Sequence, residues 1–326
     1  MSPATRRADP VDGVLLLNKP SGLTSNRALQ IVKRLLGARK AGHTGALDPA
    51  ATGMLPLCFG EATKIAAFLL EADKIYRVTV RLGIATDTGD ADGTVTDEAP
   101  VPDLTAADWE ALLGTFLGES EQVPPMYSAL KKDGKRLYEL ARRGEEVERA
   151  PRKVRIHDIR LLEAHGNRLV FRVWCSKGTY VRTLVEDIAR AAGTVAHTAA
   201  LHRESVGPFA GEAMLDLAEA ERLAAGNPAA LRARLLPADA GLAGWPAQRL
   251  DADATRRFLE GQSVSCDRPG TPAMVRVYGS GDGFLGVGET VPGGRLRPKR
   301  LIRTGPAVQP PARTAAARHA GDDERR

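Results

Sequence analysis

Between Ala41 and Gly60, in the stretch AGHTGALDPAATGMLPLCFGEATK, the only acidic side chain is Asp48, and its flanks are glycine-rich and nearly uncharged. A carboxylate so isolated either forms a turn or acts as a tool. As a tool it offers the chemistry of an anion: nucleophilic attack, or support for positive charge. Pro49 steers Asp48 away from helical geometry, which places the acid on a fixed turn. An ordinary Asp-Pro turn is the plain alternative. Against it, Gly42, Gly45 and Gly53 allow close approach of a backbone or a ligand, and His43 and Thr44 stand there with little apolar cover. The run reads as a loop built to admit something. His43 has no companion at metal-ligand spacing, so it does not read as a ligand.

Carboxylates also gather in TDTGDADG, Thr86 to Gly93. Asp87-Thr88-Gly89 matches the tripeptide of aspartic proteases, but no second copy occurs and Asp90 replaces the small residue that usually follows. A calcium loop starting at Asp87 would need glycine where Asp92 stands. The run is expected to be a solvated turn between strands.

Positioning these side chains falls to a set of strand and helix signals. DGVLLLNKPSG predicts a buried strand over Val14 to Leu17 closed by a Pro-Ser-Gly turn. TSN offers N-caps to a helix with apolar Leu29, Ile31, Val32, Leu35 and Leu36, stopped by Gly37. EATKIAAFLLEADK predicts another helix. IYRVTVRLG alternates, with Tyr76, Val78, Val80 and Leu82 on one face and Arg77, Thr79 and Arg81 on the other, a half-buried strand with Tyr76 inward. RLVFRVWCSKGTYVRTLVEDIARAAG repeats strand, turn and helix, with Lys177, Tyr180 and Arg182 around the connection. AMVRVYG and GFLGVGETV predict short strands of a small β-rich C-terminal unit.

The 326 residues, 43% hydrophobic and 26% charged, suffice for one large domain and a small one. A formal net charge of +6 favours a polyanionic partner. Lys131 to Lys153 concentrates it, with nine Lys or Arg against five Asp or Glu. Cys58, Cys175 and Cys266 are odd in number and widely spaced, matching neither a disulfide framework nor a zinc site. All three are expected to be reduced, buried thiols of a cytoplasmic protein. MSPATRRADP has no apolar signal region, and no apolar run reaches the ~18 residues of a membrane helix, so neither secretion nor membrane insertion is expected. Residues 1–10 and 306–326 are expected to be disordered.

GVLLLNKPSGLTSN, AGHTGALDPAATGMLPLCFGEATK, KIYRVTVRLGIATDTGDADG, PPMYSALKKDGKRLYELARRG and CSKGTYVRTLVEDI together resemble the bacterial tRNA pseudouridine synthase B (TruB) family, collinearly from about residue 11 to 210. The resemblance implies an α+β fold: a catalytic domain over 11–240 with a central mixed, mainly antiparallel sheet, a basic RNA-clamping insertion about 124–153, and a PUA-like β-rich domain over 245–305. It implies an enzyme that converts uridine 55 in the T loop of tRNA to pseudouridine, with no cofactor or metal. Its partner would be the tRNA T stem-loop; no obligatory protein partner is expected, and the chain would be a monomer. The reaction breaks the bond from base N1 to ribose C1′, turns the uracil and rejoins it through C5, on a nucleotide extruded from its fold.

On this resemblance Asp48 is the catalytic aspartate. Arg182 is its ion-pair partner, whose permanent charge keeps a carboxylate in a dry pocket ionised. Tyr76 stacks on the uracil, with its hydroxyl a proton carrier. Tyr180 lines the same pocket, Leu201 contacts the uracil, and Lys19 with Pro20 supports the aspartate from behind. His43 helps capture flipped-out nucleotides, and Lys131, Lys132, Lys135 and Arg136 form the RNA clamp. Two alternatives stay open: a non-catalytic RNA-binding or tRNA-folding module on the same scaffold, and a guide-RNA-dependent relative.

Overall fold

The structure, a computed structural model, describes residues 11–128, 131–132, 135–141, 143–145, 147–266 and 272–303. Both segments expected to be disordered, 1–10 and 306–326, lie outside the described residues. The first half builds β1 (Gly13–Lys19), α1 (Ser25–Leu35), β2 (Ala41–His43), β3 (Thr52–Phe59), α2 (Ala66–Leu70), β4 (Lys74–Leu82), β5 (Ile84–Thr86), β6 (Val95–Glu98), α3 (Ala106–Gly114) and β7 (Gly118–Gln122). A hairpin of β8 (Lys131–Lys132) and β9 (Lys135–Arg136) and a short α4 (Leu137–Ala141) precede β10 (Arg152–His165), β11 (Arg168–Cys175), α5 (Val181–Ala191) and β12 (Ala196–Val206). Then come β13 (Leu215–Asp216), α6 (Leu217–Gly226), α7 (Pro228–Arg232), β14 (Ala247–Arg249), α8 (Ala252–Leu259), β15 (Val264–Ser265), β16 (Met274–Tyr278), β17 (Phe284–Val291) and β18 (Arg295–Leu301).

Nine strands form one sheet in the order β13-β1-β3-β12-β4-β11-β10-β7, with β2 laid along β3. β1 with β13 and β3 with β12 run parallel, and the remaining pairs are antiparallel. The sheet is thus mixed and mainly antiparallel, as expected, and β14-β16-β17-β18-β15 make the separate C-terminal sheet.

Sequence pattern explains most of the layering. Tyr76, Val78, Val80 and Leu82 of β4 are buried while Arg77 and Arg81 are exposed, the period-2 outcome for a strand covered on one face. The covered face packs with Val181, Leu184 and Ile188 of α5 and Trp109 and Leu113 of α3. α1 buries Ala28, Leu29 and Val32 against Leu15, Leu17 and Leu57. Its start is capped by Thr24 Oγ1, which accepts from Arg27 N at 3.1 Å, and its end by Gly37 at φ +66. On another side, Val14, Leu16, Met54 and Cys58 share a core with Phe284, Val287 and Ile302 of the C-terminal region. The two sheets are therefore joined by buried apolar surface.

Two expectations need correction. EATKIAAFLLEADK is not one helix: Gly60–Lys64 is a 3-10 turn, and only Ala66–Leu70 is α-helical. Gly60 enters at φ +56, and Lys64 Nζ pairs with Glu61 Oε2 at 2.6 Å across i,i+3, the spacing at which side chains eclipse in a 3-10 turn. Cys58 and Cys175 are buried, and burial pushes both thiols up to about 12. Cys266 instead is partly exposed, because it follows the two-residue edge strand β15. Among the described residues, no helix is long and apolar enough to cross a membrane.

Candidate active site

Asp48 lies on the loop between β2 and β3. Ala51 N donates to Asp48 O at 3.1 Å, so Asp48 opens a turn with Pro49 second, the position that suits its fixed φ. Turn-former and candidate tool are the same residue. The loop is fastened from the end of β1 and the start of α1. Lys19, fully buried, donates from Nζ to Pro20 O at 2.8 Å, Leu23 O at 2.7 Å and Pro49 O at 3.0 Å. Ser25 Oγ donates to Leu47 O at 3.0 Å and accepts from Leu47 N at 2.8 Å. Gly53 is where another backbone comes close: at φ +100, a Cβ there would stand 2.3 Å from the Arg203 carbonyl oxygen of β12. Gly42, by contrast, faces open space.

Asp48 Oδ2 stands 3.1 Å from Arg182 Nε in the first turn of α5. Arg182 is 5% exposed. It also donates to Thr88 O at 2.6 Å and Tyr127 O at 2.7 Å, with Asp90 Oδ2 at 3.5 Å. Held along every edge, Arg182 is a fixed cation, while the Asp48 side chain keeps 42% of its surface open. Burial pushes the Asp48 carboxyl above the usual 3.8; Arg182 draws it down, Asp90 pushes it up and Lys19 draws it down. Desolvation wins.

TDTGDADG is accordingly not a merely solvated turn. Its Thr88 carbonyl and Asp90 carboxylate hold Arg182, and Asp90's side chain is only 16% exposed. The signal available was a carboxylate run without basic neighbours; its basic partner lies on a distant helix that only folding brings near.

Beside Asp48 opens a cavity of about 20 Å³, walled by Ala50, Asp90, Arg182, Ala199 and Leu201 among others. That is about one water's space, far short of a nucleobase. Leu201 thus lines the same cavity as Asp48. Tyr76 is not on these walls: it is 8% exposed within the core cluster that includes Leu47 and Ala51. Burial pushes its phenol up, and the guanidinium of Arg203 draws it down. Tyr180 precedes α5, its N–H bonded to Gln122 Oε1 at 3.0 Å, and burial pushes its phenol up too. It stands outside the cavity walls. His43 ends β2, and burial, with Arg203 assisting, lowers its ring from the ordinary 6.5, which favours the neutral imidazole. His43 Nδ1, Thr44 Oγ1 and Thr198 Oγ1 are buried without a hydrogen-bond partner among the described residues. Desolvation lowers Lys19 to about 8, opposed by Asp48 and assisted by Arg203.

Lys131 pairs with Arg136 and Lys132 with Lys135 in the β8–β9 register. The side chains of these four expected clamp residues lie outside the described residues. Among the described residues, no cluster of three or more His, Cys, Asp or Glu could hold a metal ion. Arg203, in ALHRES, escaped sequence reading because nothing marks it among 46 lysines and arginines. In the fold it is 1% exposed.

Three family profiles place this fold and site in the pseudouridine synthase class. The profile for the TruB family pseudouridylate synthase N-terminal domain matches residues 33–181. Those for the tRNA pseudouridylate synthase B C-terminal domain and the pseudouridine synthase II TruB C-terminal region match 182–243 and 246–302. A tRNA pseudouridine synthase B of Nitrosococcus oceani is 53% identical over 292 residues, 90% of this chain and 95% of that protein. The one from Chromohalobacter salexigens is 52% identical over 301 residues, 92% and 97% respectively. Among solved structures, a Cbf5-Nop10-Gar1 complex aligns with TM-score 0.67 at 25% identity, over 87% of this chain and 80% of the other. An H/ACA RNP bound to a substrate RNA containing 2'-deoxyuridine gives TM-score 0.68 at 21% identity, over 90% and 85%, a likeness of fold. The chain belongs to the TruB family of pseudouridine synthases.

Proposed function

We propose that this protein isomerises uridine 55 in the T loop of tRNA to pseudouridine, acting alone as a cytoplasmic monomer. The observation that carries the reading is Asp48: partly open to a cleft, pushed up by burial, and paired at 3.1 Å with an immobile Arg182. A carboxylate whose charge is maintained by one fixed cation suits either attack on the sugar or support of a cation-like or glycal intermediate. Leu201 bounds the same cleft and would contact the extruded uracil. Tyr76 would stack on that base and carry a proton. Tyr180 would line the widened pocket, Lys19 would hold the Asp48 loop, and His43 would bind a displaced nucleotide. The unpartnered atoms His43 Nδ1, Thr44 Oγ1 and Thr198 Oγ1 are polar groups that a bound nucleotide could satisfy. The cavity must widen to admit a base, and the β8–β9 hairpin with its Lys131, Lys132, Lys135 and Arg136 would close over the RNA as it does so.

The tRNA assignment follows the named function of the bacterial relatives. The test is an unmodified tRNA transcript incubated with purified protein alone, followed by mapping of pseudouridine. Product at position 55 without added RNA or protein is the expected result. Product only with a guide RNA would select the guide-dependent alternative, and binding without product the non-catalytic one.

A further inference from the structure

Arg203 is among the largest fully buried side chains, at 1% exposure. Its guanidinium donates from Nε to Met54 O at 2.7 Å, from Nη2 to Gly45 O at 3.1 Å and from Nη1 to Ala46 O at 3.5 Å. No carboxylate stands within ion-pair distance of it among the described residues, and these three bonds go to backbone carbonyls. A desolvated cation is costly, and an apolar side chain of similar volume generally costs a fold less. Stability alone does not account for an arginine there.

Its position offers another account. In the sheet Arg203 lies between β3 and β4, in register with Gly53 on one side and Tyr76 on the other. The guanidinium reaches the Tyr76 side chain. The carbonyls it grips belong to the Gly45–Ala46 arm that leads into Asp48 and to Met54 just beyond the loop. One cation therefore connects the loop of the candidate nucleophile with the candidate proton carrier. The other titratable groups that feel it are Lys19, His43 and Lys74, while Asp48 and Cys175 act on Tyr76 with the opposite sign.

We propose that Arg203 is a positioning residue for the isomerisation, holding the Asp48 loop against Tyr76 and supplying the positive charge against which the Tyr76 hydroxyl releases its proton. This rests on the reaction proposed above. In that reaction N1–C1′ breaks and C5–C1′ forms; N1 gains a proton and C5 loses one. Tyr76 gives its proton to N1 and takes the one that leaves C5, so it passes through a phenolate and ends as it began. Arg203 stabilises that phenolate, whereas the free phenol gains less from the charge.

Arg203→Lys keeps the charge and loses the fork; Arg203→Gln keeps hydrogen bonding and loses the charge. Single-turnover tritium release from C5 of uridine in a T-loop transcript, with filter binding alongside, separates the roles. Arg203→Gln is expected to bind the transcript within about threefold of the parent and to turn over at least tenfold more slowly than Arg203→Lys. In a Tyr76→Phe background that Lys-to-Gln difference should vanish. Incorporating 3-fluorotyrosine at position 76, which makes the phenol more acidic, should recover part of the Arg203→Gln loss. Equal rates for the two variants, or a gap that persists without the Tyr76 hydroxyl, would overturn the proposal. Should both variants unfold, 3-fluorotyrosine at position 76 of the parent decides: a faster tritium-release rate upholds the phenolate on which the proposal depends, and an unchanged or slower one overturns it. A parent protein inactive on every RNA would instead strike the reaction itself.

Discussion

At Asp48 two demands meet in one residue. The turn uses its main-chain carbonyl, which accepts from Ala51 N, with proline following; the proposed chemistry needs its side-chain charge. Asp48→Asn separates them. Arg182 keeps Asp90, Thr88 O and Tyr127 O in the variant, and a desolvated charge is removed, so stability should stay within ~1 kcal/mol of the parent in thermal unfolding. Pseudouridine formation should drop by at least ~10³-fold with RNA binding retained. Appreciable turnover by the variant would end the catalytic assignment. On the proposed mechanism the carboxyl also sets the acid limit. Because burial raises its folded value above 3.8, the working anion is lost as pH falls through that raised value, sooner than for an ordinary aspartate. Its effect on stability runs the other way, since the fold favours the protonated form and this group's penalty fades as pH falls. Activity and stability should therefore diverge on the acid side, read from a kcat–pH profile beside unfolding midpoints.

The loop is an element held by its neighbours more than by itself. Lys19 closes β1 by gripping three carbonyls, which uses all three ammonium donors. Its folded value of about 8 lies below 10.5. As pH rises through about 8 the amine sheds a proton and one tether, although this group's contribution to global stability grows between about 8 and 10.5. Turnover is expected to decline above about 8, with that limb displaced in Lys19→Arg and preserved in Lys74→Arg. Lys74, also lowered to about 8 by burial, binds the carbonyls of Leu70, which ends α2, and Ala72 instead. Gly53 secures the other end. Gly53→Ala drives a Cβ into the Arg203 backbone at 2.3 Å, so the parallel β3–β12 pairing must spread; a loss of about 2–3 kcal/mol in denaturant unfolding is expected. Gly42→Ala, with open space around it, serves as the tolerated control.

Over the whole molecule, charge and burial divide the labour in the proposed function: the +6 net charge favours a polyanionic partner, and the sheet core fixes the site. Alanine at Lys131, Lys132, Lys135 and Arg136 together should weaken tRNA binding and flatten the slope of log affinity against log salt by up to ~3, because each lost phosphate contact withholds a counterion. Unchanged affinity and slope would remove the clamp. Much of this molecule was legible in one dimension. The alternation of β4, the caps of α1, the isolation of Asp48 and the basic insertion are short-range patterns, set by the period of the backbone and by which residues shun water. The family likeness marked Arg182 and Leu201 without giving a distance. What folding alone decided were the long-range meetings: Asp90 reaching Arg182, the Phe284 and Val287 side chains closing over Val14 and Met54, and Arg203 coming to lie beneath the Asp48 loop beside Tyr76. Sheet order and register set those contacts, and a buried arginine looks like any other in sequence, since its surroundings come from strands far away along the chain.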